Sequence, residues 1–429
     1  MGKTLALEGA GLAFARGEFE RYYRSTEIDA PRRFSRREFA AFPFASQNMM
    51  RRHAAFKTEA ELRRFLAAES PRHVYYSSAY YRQPEHAQMA QKGWLGADLI
   101  FDLDADHLRH AEGLDYAGQL ALVKQRFRTL LDDFLFGDFG IDPEQTTLVF
   151  SGGRGYHVHV YDPRYLELTS PERREIVEYI LGVSVEPRSA LAEERAQDSA
   201  GLEAGGGGRR HAGPRSFQRL VDPSSPGWPG RISRSVLELV NRWELEGREV
   251  AVSELEKAGM EHRLAVAIAR QLLKEGKGRW IRERLTVEVF DRPKESEEFL
   301  RAVLARAAIE VQGETDAPVT TDIHRLIRLP GSRHGGTGLV VRPIGRDALD
   351  GFDPLRDAVA PDAGRPTVRV RAETAVHCPF GPGTLEAQAG EEVELGPSAA
   401  LFLLLRGEAT LTSEAPARSS PTAPPGRGS

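Results

Sequence analysis

Hydrophobic and polar positions change their periodicity several times along the chain. Residues 12–68 carry aromatic and apolar side chains near helical spacing, and Thr58 is suited to cap a helix, so this stretch predicts mainly helix. Residues 73–105 are β-prone, and 116–135 again follow a helical period. Residues 146–162 predict a strand, a glycine turn and a second strand.

The same pattern predicts a mixed α/β (α+β) fold whose core is interrupted and then completed late in the chain. A Gly-, Pro- and Arg-rich stretch precedes a long region of helical periodicity, after which strand-like sequence returns. The predicted segments are the first part of the core at 1–186, a flexible insertion at 187–230, a helical insertion at 231–311, the second part of the core at 312–365, a β-rich accessory region at 366–411 and a disordered tail at 412–429.

Composition says more about the cellular compartment of the protein than about whether it binds nucleic acid. The 429 residues are 41% hydrophobic and 28% charged, and the formal net charge of -4 gives no global basic signature. A local basic channel would still bind nucleic acid. The single cysteine, Cys378, excludes an intrachain disulfide framework and a multi-cysteine metal site. Without a predicted secretory signal or membrane span, we expect a reducing, cytoplasmic setting and no membrane association.

Asp102 and Asp104 are two residues apart in a strand-like segment. Side chains at this spacing share a strand face, so both carboxylates should project together while Leu99, Phe101 and Leu103 pack the other face. Adjacent carboxylates repel unless a cation lies between them, and Mg²⁺ or Mn²⁺ prefers such oxygen ligands. A lone pair of this kind also fits a solvated strand end.

The segment SGGRGYH, from Ser151 to His157, follows a strand-like run. Its glycines permit a tight turn that directs backbone N–H groups toward an anion, and Arg154 is suited to a bidentate phosphate contact. A glycine-rich hairpin with surface Arg and His is the structural alternative.

A late segment, TDAPVTTDIHRLIRLPGSRHGGTG, offers a carboxylate at Asp316 or Asp322 and a basic pair at Arg328 and His334. A carboxylate from here would complete a metal site begun by the earlier pair. The residues alone do not decide whether Asp316 or Asp322 would be the ligand. The segment also fits a buried strand with an ordinary polar turn.

Together, FDLDAD, SGGRGYH and RLIRLPGSRHGGTG resemble the three motifs of the archaeal and eukaryotic-type DNA primase small (catalytic) subunit. The resemblance covers about residues 12–343, and REF at Arg37–Phe39, followed by MRRHAAF, resembles the family's early arginine motif. It implies a primase-polymerase catalytic core of mixed α/β fold with a helical insertion, to which this chain adds a small C-terminal β-rich region.

The resemblance also assigns roles. It implies two catalytic ions, Mg²⁺ or Mn²⁺, held by Asp102, Asp104 and Asp316. Asp316 is preferred over Asp322 because it lies 12 residues before Arg328, as in related catalytic chains. The implied contacts to the nucleotide's phosphates are Ser151, Arg154, His157, Arg328, His334 and Arg52.

The chain departs from the family pattern at two points. The family's small zinc site is built mainly from cysteines, and His107 and His110 cannot supply four ligands, so no structural zinc is predicted. The family's lysine after the late His-Gly is Gly336 here, so that phosphate contact is lost or comes from Arg333 or another arginine.

The implied function is template-directed synthesis of short primers from nucleoside triphosphates for DNA replication. Single-stranded DNA would be the template, and a primase large subunit the partner in a heterodimer. The alternatives are a repair-type primase-polymerase that extends existing ends and a non-catalytic nucleic-acid-binding relative.

Overall fold

The computed structural model describes residues 9–44, 49–108, 111, 113–195, 216–311, 317–362 and 364–414. In chain order, the strands are β1 (Phe39–Phe42), β2 (Arg51–Ala54), β3 (His73–Ser77), β4 (Ala79–Tyr81), β5 (Trp94–Ala97), β6 (Leu99–Asp104), β7 (Thr146–Phe150), β8 (Gly155–Val160), β9 (Leu191–Arg195), β10 (Ser216–Leu220), β11 (Leu326–Arg328), β12 (Arg342–Ile344), β13 (Val368–Ala372), β14 (Val376–Phe380), β15 (Gly383–Ala387), β16 (Glu392–Leu395) and β17 (Ala409–Glu414). The helices are α1 (Gly9–Ser25), α2 (Glu59–Glu69), α3 (Tyr116–Thr129), α4 (Ser170–Ile180), α5 (Gly227–Glu246), α6 (Arg248–Lys257), α7 (His262–Leu273), α8 (Lys277–Arg284), α9 (Pro293–Val311), α10 (Ala317–Thr321), α11 (Pro354–Asp357) and α12 (Pro397–Arg406).

The chain forms two compact units. The first contains the described residues of Met1–Phe127, Ile141–Arg174 and Glu314–Ser429, and the second contains those of Arg128–Gly140 and Glu175–Gly313. Helices and antiparallel sheets occur together, which confirms the predicted mixed α/β class. No helix in the described part of the chain is long and apolar enough to cross a membrane.

Two four-stranded antiparallel sheets organise the first unit. One has the strand order β11–β3–β1–β2, and the other has the order β12–β7–β8–β6. The helical prediction for 12–68 is confirmed for α1 and α2 but is wrong for β1 and β2. Residues Phe39–Ala41 of β1 are buried in the middle of a sheet, so their short apolar run lacks the alternation that identifies a half-exposed strand.

A buried ion pair fixes the start of β6. The Arg37 guanidinium donates to Asp98 Oδ2 at 2.5 Å, and both side chains are almost completely buried. The Tyr80 hydroxyl donates to the other carboxylate oxygen at 2.5 Å. Because Asp98 directly precedes β6, this network holds the strand that carries the acidic pair.

The segment 366–411 contains strand and helix in the first unit. Strand β13 pairs with β16 and β17, and β14 pairs with β15. Helix α12 was not predicted, and its residues from Pro397 to Leu405 are buried. Strand β17 reaches Glu414, so it enters the predicted tail, of which residues 415–429 lie outside the described part.

The second unit is mainly helical and contains α5–α9. A π-helix at Leu130–Asp138 supplies Asp138, which accepts a hydrogen bond from Arg231 at 2.5 Å. Within the insertion predicted at 187–230, β9 and β10 pair as antiparallel strands, so secondary structure begins inside that segment. Residues 196–215 lie outside the described part.

Candidate active site

The acidic pair lies at the end of β6, beside β8. Asp102 and Asp104 share one face of the strand, and their cross-strand partners are His157 and Gly155. The Asp102 side chain is 20% exposed. A Cβ atom at Gly155 would lie 2.4 Å from the Leu103 carbonyl oxygen and 3.2 Å from Asp104 Oδ2. Glycine at this position therefore lets β8 approach the carboxylates closely.

His157 contacts the first carboxylate from β8. Its Nε2 lies 3.3 Å from Asp102 Oδ1. Burial, reinforced by the charges of His159 and Arg328, holds the pKa of His157 well below its ordinary value. The ring is therefore neutral near pH 7, and the contact is a polar one between a neutral imidazole and a carboxylate. Nδ1 of His157 is buried and has no hydrogen-bond partner among the described residues.

The glycine turn between β7 and β8 is organised by Ser151. Its hydroxyl oxygen accepts hydrogen bonds from the backbone N–H groups of Gly153 and Gly155, at 3.2 and 3.1 Å. Gly152 has φ +78°, and a Cβ there would lie 2.7 Å from His334 Cβ. The predicted strand–turn–strand is confirmed, and its turn packs directly against the late basic segment.

Arg328 and His334 meet near a histidine that sequence reasoning missed. Arg328 Nη1 lies 2.6 Å from His73 Nδ1, and the rings of His73 and His334 are 5.3 Å apart, edge to face. Burial, followed by the Arg328 and Arg72 charges, holds the pKa of His73 well below its ordinary value. A neutral His73 can accept a hydrogen bond from Arg328 and thereby orient it.

These elements surround a cleft of about 460 Å³ in the first unit. Asp104, Arg154, Arg328 and His334 are among the predicted site residues that line it. Arg154 forms an ion pair with Asp106, which also lines the cleft. The described residues that line the cleft are Asp104, Asp106, Tyr116, Gly153, Arg154, Arg328, His334, Gly336, Thr337, Leu405 and Arg406.

Arg52 has a different position from these residues. It lies on β2, at the sheet edge opposite to β11, the strand that carries Arg328. Its guanidinium makes two hydrogen bonds, of 2.9 and 3.3 Å, to the buried carboxylate of Glu38. Arg333 is also turned away from the cleft, because it is buried against the aromatic rings of α1.

The third predicted carboxylate, Asp316, lies outside the described residues. Helix α10 begins at the next residue and packs against β6. Asp322 is exposed, and its carboxylate accepts a hydrogen bond from the His324 N–H at 2.8 Å. Among the described residues, no group of three His, Cys, Asp or Glu side chains could hold a metal ion.

Two further cleft residues escaped the sequence analysis. Tyr116, at the start of α3, donates from its hydroxyl to the Gly153 carbonyl oxygen at 2.6 Å. Arg406, at the end of α12, lies 4.1 Å above the Tyr116 ring. No motif marks either residue, because only the folded chain brings their distant positions together.

Comparison with known proteins gives a consistent result. The model of the DNA primase small subunit family matches residues 101–346, which include the acidic pair and the late basic segment. The DNA primase small subunit PriS of Methanocella arvoryzae is 38% identical over 354 residues, covering 81% of this chain and 86% of that protein. PriS of Methanothrix thermoacetophila is 37% identical, with coverage of 94% and 99%. PriS of Halobacterium salinarum is 38% identical, with coverage of 94% and 98%.

Proposed function

The chain belongs to the DNA primase small-subunit family, and on that premise we propose that its cleft joins nucleoside triphosphates into short primers on a DNA template. The observation that carries the proposal is the acidic pair of β6 beside a cleft lined by arginines. Nucleotidyl transfer needs this combination, because carboxylates hold cations while guanidinium groups bind phosphates.

The acidic pair fits divalent cations. Asp102 and Asp104 offer oxygen donors on one strand face, and Gly155 keeps the opposing strand free of a side chain there. We propose that these two carboxylates hold two Mg²⁺ or Mn²⁺ ions together with Asp316. Bound there, the ions would lower the pKa of the attacking 3′-hydroxyl and stabilise negative charge on the transferring phosphate.

The position of α10 supports Asp316 as the third ligand. The helix packs against β6, and Asp316 is the residue immediately before it in the chain. Asp322 already caps a turn through His324, so its carboxylate has a structural role. We therefore retain Asp316 as the proposed ligand.

The remaining residues of the site would bind and orient the triphosphate. Arg154 and Arg328 would each donate paired N–H groups to phosphate oxygens. Ser151 holds the turn that carries Arg154, and His157 contacts Asp102 while its Nδ1 has no partner among the described residues. His334 packs between the turn and His73, which keeps the phosphate-binding groups in fixed positions.

The proposed partners are a single-stranded DNA template and a primase large subunit, and the proposed setting is the cytoplasm. Template binding through phosphates would be independent of sequence and would weaken as salt increases. Relatives named DNA primase small subunit, matched over most of their length, do not favour a repair-type enzyme or a non-catalytic relative.

The test is synthesis on unprimed single-stranded DNA with Mg²⁺ or Mn²⁺, with and without a candidate large subunit. The double variant Asp102→Ala/Asp104→Ala should lose primer synthesis by about a thousand-fold or more while remaining folded. Asp347→Ala/Asp350→Ala, which removes two exposed carboxylates, is the matched control and should retain activity. Full synthesis by the first variant would disprove the proposal, and extension of primed ends alone would favour the repair-type enzyme.

A further inference from the structure

Helix α12 brings the C-terminal segment into the cleft. Its last residues, Leu405 and Arg406, line the same space as Arg154 and Arg328. The helix packs closely on the loop that follows His334. Within that loop Gly338 has φ +73°, and a Cβ there would lie 2.8 Å from Leu401 Cδ2. The end of α12 is therefore fixed relative to the phosphate-binding residues.

The Arg406 side chain is held but not enclosed. Its guanidinium carbon lies 4.1 Å from the centre of the Tyr116 ring, and the side chain is 22% exposed. Tyr116 also donates to the Gly153 carbonyl oxygen at 2.6 Å. One tyrosine thus supports both the glycine turn and Arg406, which places the guanidinium beside the turn that carries Arg154.

The pairing of Arg406 resembles that of Arg154. Arg406 Nε donates to Glu408 Oε1 at 2.9 Å, and Arg154 pairs with Asp106 at the cleft. A partly exposed pair of this kind contributes little net energy, because water competes for both charges. A triphosphate carries more negative charge than one carboxylate and offers several acceptor oxygens, so it can replace such a partner.

We propose that Arg406 binds a phosphate group of the nucleoside triphosphate in the cleft. The C-terminal segment that includes α12 is then part of the nucleotide site. This inference rests on the proposed function, because it requires a triphosphate in the cleft. It adds a phosphate-binding residue from a segment outside the three sequence motifs.

The experiment uses the full-length chain with three variants. Arg406→Ala removes the cation, Arg406→Lys restores a charge, and Arg371→Ala removes an exposed arginine of the same C-terminal region that pairs with Glu392 at 2.9 Å. Binding of a fluorescent ATP analogue, of AMP and of single-stranded DNA is measured, together with the KM for nucleotide and the melting temperature.

Arg406→Ala should weaken triphosphate binding by about ten-fold or more, as expected for the loss of a charged hydrogen bond. AMP and single-stranded DNA should bind nearly as to the unmodified chain. Arg406→Lys should recover part of the loss, and Arg371→Ala should behave as the unmodified chain. The KM for nucleotide should increase in parallel, with a much smaller change in kcat.

Unchanged triphosphate affinity in a folded Arg406→Ala protein would overturn the inference, as would a loss of DNA affinity in place of triphosphate affinity. If Arg406→Ala alone fails to fold, Arg406→Lys decides the outcome. The inference then fails if Arg406→Lys binds triphosphate as tightly as the unmodified chain does, or if its affinity falls no further than that of Arg371→Ala. If the unmodified chain makes primers and only the Arg406 result fails, the proposed function stands. If the unmodified chain makes none, the proposed function itself fails.

Discussion

Substitution of Gly155 by alanine should displace the acidic pair without removing either carboxylate. The new Cβ would lie 2.4 Å from the Leu103 carbonyl oxygen, in the backbone of β6. Carbon–oxygen contacts of this kind normally span about 3.3–3.6 Å, so one strand must move by about 1 Å. The backbone of β6 cannot rotate away as a flexible side chain would, and Asp104 must move with it.

The expected consequences follow from that displacement. Overpacking in a close-packed interior costs about 1–3 kcal/mol, so the melting temperature should fall but the protein should remain folded. A misplacement of about 1 Å at a catalytic group costs roughly 100-fold in rate. We therefore expect Gly155→Ala to lower kcat for primer synthesis by about 100-fold and to weaken Mn²⁺ binding, although every proposed ligand is retained.

Gly345→Ala provides the matched control in the same unit. Its Cβ would have no atom within 4 Å, and its φ of -64° suits any residue. Stability should change by less than about 0.5 kcal/mol, with unchanged kcat. Primer synthesis is followed on unprimed template, Mn²⁺ binding by electron paramagnetic resonance and folding by circular dichroism. A folded Gly155→Ala protein with the kcat of Gly345→Ala would show that the close approach of β8 to β6 does not set the geometry of the acidic pair.

Three further predictions concern a buried ion pair, a buried histidine and a helix cap in the first unit. Arg37→Met should cost about 3–5 kcal/mol of unfolding free energy, because Asp98 stays buried without its cation, whereas Arg369→Met, in an exposed pair, should cost less than about 1 kcal/mol. Equal losses in urea denaturation would contradict this. Burial lowers the pKa of His159 to about 4. The native state therefore loses stability as the pH falls from about 6.5 towards 4, by up to roughly 3 kcal/mol. His159→Gln should lack this part of the acid-induced loss of stability. If the melting temperature of His159→Gln falls with acid as much as that of the unmodified chain, His159 does not contribute this pH dependence. Thr58→Ala should cost about 1 kcal/mol in urea denaturation by removing the capping box of α2, and no loss would argue against that cap.

Local periodicity predicted the parts of the site that lie on continuous segments. The two-residue spacing of Asp102 and Asp104 correctly places them on one face of β6, and the glycines after Phe150 correctly predict a hairpin turn. The N-cap at Thr58 is likewise confirmed. These features depend on residues within a few positions of one another, so the sequence specifies them directly.

Local sequence patterns did not predict features that depend on contacts between residues far apart in the chain. The run from Ala399 to Leu405 is buried on all sides, and continuous apolar sequence fits a buried strand as well as a buried helix. The position of Arg52 is set by the buried Glu38, and that pairing has no sequence signature. The same applies to His73, which reaches Arg328 from a strand more than 200 residues earlier in the chain.

The partners of the cleft arginines imply an order of electrostatic roles. Arg154 and Arg406 are each paired with a carboxylate, so their charges are largely balanced before a nucleotide binds. Arg328 instead lies against His73, whose lowered pKa keeps the ring neutral. Its positive charge is oriented by that ring but not cancelled by it. In the proposed nucleotide site, we therefore expect Arg328 to attract a triphosphate first. Arg154 and Arg406 would then exchange their carboxylate partners for phosphate oxygens.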